Sequence, residues 1–300
     1  MRTSKSQMAK FQFYLIYYFL SILALFPLRI LYFFSDFWFL MIYYVFGYRK
    51  NVVTENLKFA FPEKDSKEIK TITRKFYIHL CDYLFESIKI LHISKAEINQ
   101  RFTFKNFEIF DELYIENKSA VLVSAHQGNW EWMIDAESKI KHKFLAIYKP
   151  LANKSFDKVL RNIRTKYAIG GELVAMDDIY KLLVSQKHQK QKTVTWFLVD
   201  QSPPKSYPFW IDFLNRETPF YAGPAKIARK FDQALVFMEI NKLKRGYYEA
   251  EFSMLVSNPK DFTEEEIIEK YVRRIEAGIK RQPEYWLWSH RRWKHKKEML

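Results

Sequence analysis

The sequence predicts an α/β fold, a mostly parallel sheet flanked by helices, with an N-terminal hydrophobic helical membrane anchor. Three observations carry this. Two uncharged aromatic-rich runs open the chain; strand-like apolar runs alternate with amphipathic helical segments from Val121 onward; and 300 residues with 48% hydrophobic content can bury a substantial core.

The opening runs are Phe11 to Phe26, after Arg2, Lys5 and Lys10, and Phe37 to Tyr48, before Arg49 and Lys50. A helix needs roughly 20 apolar residues to cross a bilayer core, so the first run is borderline and the second short. Arg29 and Asp36 interrupt the stretch, and no A-x-A-like cleavage site follows. The tyrosines and tryptophan suit an interfacial belt. Residues 1–50 therefore read as a retained anchor, either one span or a re-entrant pair; two buried helices of a soluble core are the alternative. The basic remainder, 51–300, favours a cytoplasmic α/β body.

Two helices follow, broken at Phe61-Pro62 because proline disfavours helix in the residue before it. Asp65 or Ser66 caps the second, and Ile69, Ile72, Phe76, Leu80 and Leu84 mark its apolar face. Val121–Ser124 is continuously apolar, as in a strand covered on both sides. "WEWMIDAESKI" reads as helix, "KFLAIY" as strand, and "SFDKVLRNIRTKYA" as helix ending at Gly170-Gly171. "ELVAM" and "TVTWFLV" are strands around the helix "DDIYKLLVSQ"; "GPAKIARKF" is a helix leading into the strand "ALVFMEI". "YYEAEFSML" alternates with period two, predicting an edge strand with one wet face. Thr263 and Glu266 match a capping box opening the last long helix.

Forty-nine Lys and Arg against 34 Asp and Glu give a net charge of +15, which suits nucleic acid, anionic membrane or an acidic protein. The single cysteine, Cys81, excludes an intramolecular disulfide and, in "YIHLCDYLF", reads as core filler.

Chemistry in such sheets gathers beyond the carboxyl ends of the strands, where His126 stands. Glu131 lies five residues on, a spacing that puts the two side chains on different helical faces, so they meet only if the chain turns at Gly128-Asn129. A carboxylate so placed holds an imidazole's tautomer; spacing alone leaves a structural histidine equally open. Asp200 and Gln201 end "TVTWFLV", a second strand end on the same cleft. They are placed to orient His126, Arg164 or substrate, or to cap a loop.

"HQGNWE" has the His-x4-acid pattern of the glycerolipid acyltransferase superfamily. Its setting resembles the bacterial lipid A secondary (lauroyl/myristoyl) acyltransferases. "NLKFAFPE", "RNIRTKYAIGG", "FLVDQSP" leading to "FLNRETPFYAGPAKIARK", and "PEYWLWSHRRWK" are similar to that family in order, over nearly the whole chain. The resemblance implies a glycerolipid-acyltransferase-like fold and a fatty acyl chain moved from acyl carrier protein to a hydroxyl of a lipid A precursor. It implies His126 as general base oriented by Glu131; backbone amides near Gly128 or Asn129, at the start of the next helix, are candidate donors to the oxyanion. Arg164 would contact an anionic part of the acceptor or the reacting site; as a residue of an amphipathic helix it can equally be solvated. The stretch "VDQSPPKSYPFWIDFL" departs from the family's glycine-containing apolar sequence after Asp-Gln, which bears on chain length and acceptor geometry.

No zinc spacing, Walker loop or dinucleotide fingerprint is present, so neither metal nor cofactor is expected. "HRRWK" suits phosphate headgroups as well as nucleic acid; a membrane partner is favoured over nucleic acid. The same chemistry on another amphiphile, such as a polyene or amino-acid lipid, is the nearest alternative. A non-catalytic basic membrane protein is the alternative from a different class.

Overall fold

The computed structural model describes residues 2–167, 170–204 and 209–295, and for 2–10 the backbone only. Two helices, α1 (Arg2–Leu25) and α2 (Leu28–Leu40), are separated at Pro27, and α2 continues without a break as a π-helical turn over Met41–Phe46. Leu28–Phe46 is long and apolar enough to cross a membrane, being roughly 28 Å long at ~1.5 Å per residue. The helix runs unbroken through Arg29 and Asp36, the two charges that interrupt the apolar sequence. Asp36 is not left bare: Arg245 donates to it at 2.6 Å.

Helices α3 (Lys50–Ala60) and α4 (Ser66–Lys89) flank the break at Phe61-Pro62. Asp65 caps α4 in a reciprocal box with Glu68. Ile69 and Phe76 are buried as their spacing predicts, but Leu84 is 44% exposed. Its neighbours on the inner face are Phe85 and the buried polar residues Asp82, Glu86 and Lys89.

After α5 (Lys95–Arg101), β1 (Phe102–Lys105) and α6 (Ile109–Ile115), the alternation begins. It comprises β2 (Ala120–Ser124), a 3-10 helix (Trp130–Lys139), β3 (Lys143–Tyr148), α7 (Lys154–Arg164), β4 (Glu172–Ala175), α8 (Ile179–His188) and β5 (Thr193–Leu198). The hairpin β6 (Trp210–Phe213) and β7 (Arg216–Pro219) precedes α9 (Gly223–Phe231), β8 (Ala234–Lys244), β9 (Tyr247–Val256) and α10 (Glu264–Arg281). Seven strands form one sheet in the order β1-β9-β8-β2-β5-β3-β4, parallel throughout except for the β8–β9 hairpin. The expected α/β architecture is the one observed. The capping box at Thr263 and Glu266 is also present.

Three elements differ from expectation. Segment 130–139 is a 3-10 helix and not an α-helix. β9 has the predicted wet face but is not an edge, because β1 pairs along it; β1 alternates as Phe-Thr-Phe-Lys, but over only 4 residues. The stretch that departs from the family pattern supplies only β6 of the β6–β7 hairpin, which has no counterpart among the strands read from sequence; residues 205–208 of that stretch, like 168–169 before Gly170, lie outside the described residues.

Alternate residues of β2 feed two cores. Val121 and Val123 join α8, α9 and α10 on one face, while Ala120 and Leu122 join α1, α2, α6 and α7 on the other. Both faces are therefore dry, which is why β2 reads as unbroken hydrophobic sequence. Helix α4 contributes to both cores, and Cys81 is part of the first.

Candidate active site

Register builds the site. β2 and β5 are parallel neighbours with Ser124 opposite Leu198, so residues two positions beyond each strand end, His126 and Asp200, face one another. The Asp200 carboxylate lies 2.6 Å from Nδ1 of His126 and accepts the His126 backbone N–H at 2.9 Å. The indole N–H of Trp286 donates to the same carboxylate at 2.7 Å. Burial by itself would raise the Asp200 pKa, but the His126 charge and these hydrogen bonds outweigh it and hold the group at about 2. An ionised Asp200 accepts from Nδ1–H, which leaves Nε2 with its lone pair free to accept a proton. The Gln201 side-chain amide sits 3.2 Å from that Nε2, and the Trp130 ring meets the imidazole edge-to-face at 4.9 Å between centroids.

Glu131 is placed otherwise than its role as the imidazole's partner requires. Its carboxylate accepts a two-pronged bond from Arg164, at 2.8 Å from Nε and 2.5 Å from Nη2, and a weaker one from Tyr83 at 3.3 Å. Burial would lower the Arg164 pKa; the Glu131 hydrogen bonds and charge outweigh it and raise it. The fork geometry of a guanidinium matches two carboxylate oxygens, and the short 3-10 helix turns Glu131 towards α7 and away from the imidazole. The alternative of a solvated Arg164 is thereby excluded.

Gly128 and Asn129 hold the chain that presents His126. Gly128 has φ +64°, and a Cβ there would lie 2.7 Å from Ile240 Cγ2, so this turn requires glycine. Its N–H donates to the Tyr285 carbonyl at 3.0 Å and is not free to serve an oxyanion. The Asn129 side chain is fully buried and donates to Glu86 at 2.7 Å. The closing segment runs antiparallel beside this loop, with Leu287 N–H donating to the His126 carbonyl at 3.1 Å. "HRRWK" is split: Arg292 is buried and donates to the Pro219 carbonyl at 2.6 Å, and His290 accepts the Ser202 N–H at 3.2 Å, while Arg291 and Lys294 are exposed.

His126 Nε2, Gln201, Glu131 and Arg164 open on a cavity of about 450 Å³. Its lining is largely apolar, with Met133, Phe144, Leu173 and Trp196 among its residues, and it also includes Lys149 and Pro150. The site thus combines a proton acceptor, a fixed guanidinium and a greasy recess of the size that small amphiphiles fill. Among the described residues no group of histidine, cysteine or carboxylate side chains has a metal-binding arrangement. Burial pushes the Cys81 thiol up to about 12, so it is a poor nucleophile.

Trp286, Tyr83 and Glu86 were not found from sequence. Trp286 stands in the motif "PEYWLWSH", while Tyr83 and Glu86 fall in a helical stretch where spacing does not single them out. A family model described as bacterial lipid A biosynthesis acyltransferase matches residues 2–295. No curated protein matches the chain.

Proposed function

The chain belongs to the bacterial lipid A biosynthesis acyltransferase family, and on that premise we propose that it is a membrane-anchored O-acyltransferase. It moves a fatty acyl chain from acyl carrier protein to a hydroxyl of a lipid A precursor. The observation that carries this reading is the His126–Asp200 pair beside a largely apolar cavity that Arg164, held by Glu131, also lines.

In the proposed reaction the acceptor hydroxyl displaces the Gln201 amide from Nε2 and gives up its proton there. The alkoxide attacks the thioester carbonyl, forming the C–O bond. Collapse of the tetrahedral intermediate breaks the C–S bond, and the imidazolium returns its proton to the departing thiolate. Asp200 holds the ring and stabilises the imidazolium. Arg164, fixed by Glu131, faces the anionic part of the acceptor or the developing oxyanion. The apolar recess takes the acyl chain.

Residues 1–50 serve as the anchor and 51–300 as the catalytic body, placed on the cytoplasmic side of the inner membrane. The exposed apolar side chains of α1, α2 and the π-helical turn, among them Phe19, Ile22, Phe33 and Phe46, support that assignment. The net charge of +15 suits an acidic carrier protein and a phosphorylated lipid. Mass spectrometry of membrane lipids, with and without the gene and after complementation by wild type or His126→Ala, tests the proposal. A lipid A acyl chain that is missing without the gene and restored only by wild type supports it. Unchanged lipid A with another lipid altered overturns the acceptor, and no acyl change anywhere overturns the enzyme.

A further inference from the structure

Behind the loop that presents His126 lies a buried polar network that the proposed reaction does not use. Its centre is a carboxylate pair one helical turn apart on α4, Asp82 and Glu86, respectively 1% and 0% exposed. Glu86 accepts from the Tyr32 hydroxyl of α2 at 2.9 Å, the Tyr248 hydroxyl at 2.8 Å and the Asn129 side-chain amide at 2.7 Å. Asp82 accepts from Ser35 of α2 at 2.8 Å and from Arg245, which also reaches Asp36.

A second strand of the network ends on the same loop. Burial, with Lys242 beside it, pushes His79 well below the usual imidazole range, so its ring is neutral. His79 then donates from Nε2 to the Gly128 carbonyl at 3.2 Å, and Nδ1 accepts from Lys242 at 3.3 Å. Lys242 in turn reaches Asp82 at 3.5 Å. Both residues after Gln127 are therefore tied to α4, and α4 is tied by the same two carboxylates to the apolar helix α2.

We propose that Glu86 is a positioning residue that couples α2 to the His126 loop through the Tyr32–Glu86–Asn129 chain. A carboxylate is suited to the task because it accepts from several donors at once, and a dry ion of this kind is retained only when fully bonded. The Asn129 amide fixes the turn between His126 and Trp130, which faces the imidazole. The orientation of the base then depends on how α2 sits. A helix whose outer face meets lipid thereby sets the geometry of the reacting loop from behind. The catalytic part of this inference rests on the proposed acyl transfer; the coupling itself does not.

The test uses full-length protein in micelles of a neutral detergent, as wild type, Tyr32→Phe, Glu86→Gln, Asn129→Asp and the double variant Glu86→Gln/Asn129→Asp. Deuterium exchange of the segment 126–133 and the kcat–KM split for acyl transfer are measured together. Each single variant is expected to speed exchange in this segment and to lower kcat by about 10- to 100-fold with KM little changed, as sub-ångström misplacement of a catalytic group does. The double variant exchanges donor and acceptor across the same contact, so it is expected to recover both readouts. Wild-type exchange in Tyr32→Phe, or a double variant no better than its worse parent, overturns the coupling. Altered exchange with normal kcat overturns the catalytic part. A wild-type protein that transfers no acyl group would count against the functional reading, while exchange would still decide the coupling.

Discussion

Asp200 grips His126 at two points, one oxygen on ring Nδ1 at 2.6 Å and the other on the His126 backbone N–H at 2.9 Å. Ring and main chain are thus fixed by one carboxylate, and rotation of the imidazole away from the cavity breaks a charge-assisted bond.

Asp200→Asn is expected to lower kcat by about three to four orders of magnitude, because an amide that donates to Nδ1 selects the wrong tautomer. Circular dichroism should show the fold retained. Glu131→Gln should cost at least about tenfold less, since Glu131 holds Arg164 and not the ring. Equal losses in the two variants would restore Glu131 as the imidazole's partner.

Arg164→Lys should fail to replace arginine, because an ammonium cannot reproduce the two-pronged bond to Glu131. The expected loss of stability is about 2 kcal/mol, below the ~3–5 kcal/mol of a fully dry pair broken on one side. Arg164 keeps 26% of its side chain in solvent, which screens the pair. Chemical denaturation of wild type and variant measures the difference, and unchanged stability would show that the pair is dispensable.

The Asp200 carboxyl falls from its ordinary 3.8 to about 2 in the folded protein. A depressed carboxylate contributes stability that is complete above the unfolded pKa and lost as pH falls through the folded one. Unfolding free energies from about pH 6 to about pH 2 should therefore show the contribution steady down to about pH 4 and fading below it. Asp200→Asn should lack that fading. A loss centred near neutral pH would assign the effect to another group.

Gly128→Ala forces a Cβ into a backbone at φ +64° and within 2.7 Å of Ile240 Cγ2. The expected cost is about 1–3 kcal/mol from overpacking, with backbone strain in addition. Ile240→Ala opens a cavity of its own, so the comparison is a cycle: in thermal unfolding, adding Gly128→Ala to the Ile240→Ala protein should cost less than adding it to wild type, the remainder being backbone strain. No remaining cost would mean that φ carries no strain.

Phe33 and Phe37 are 72% and 51% exposed on α2. Replacing both with lysine should release protein from carbonate-washed membranes, since a lysine at mid-bilayer costs about 3 kcal/mol. Retention in the pellet equal to wild type would argue against α2 as the anchor.

Local pattern was legible in the chain. Strand β2 and most of β5 and β8 are dry on both faces, so they announced themselves as apolar runs, and the caps at Asp65 and Thr263 follow from side chains that bond within one turn. The position of His126 beyond a strand end, with Asp200 and Gln201 beyond another, was legible for the same reason. Tertiary structure alone decided which carboxylate serves which cation, because that choice depends on register between strands some 74 residues apart and on the tight turn at Glu131. It also decided that Glu86, an ordinary helical charge by spacing, meets Tyr32, Tyr248 and Asn129 in a dry interior. Periodicity reports which face of an element is buried. It carries no information about which polar partner waits on the other side, since that contact is made between elements and leaves no repeat in either.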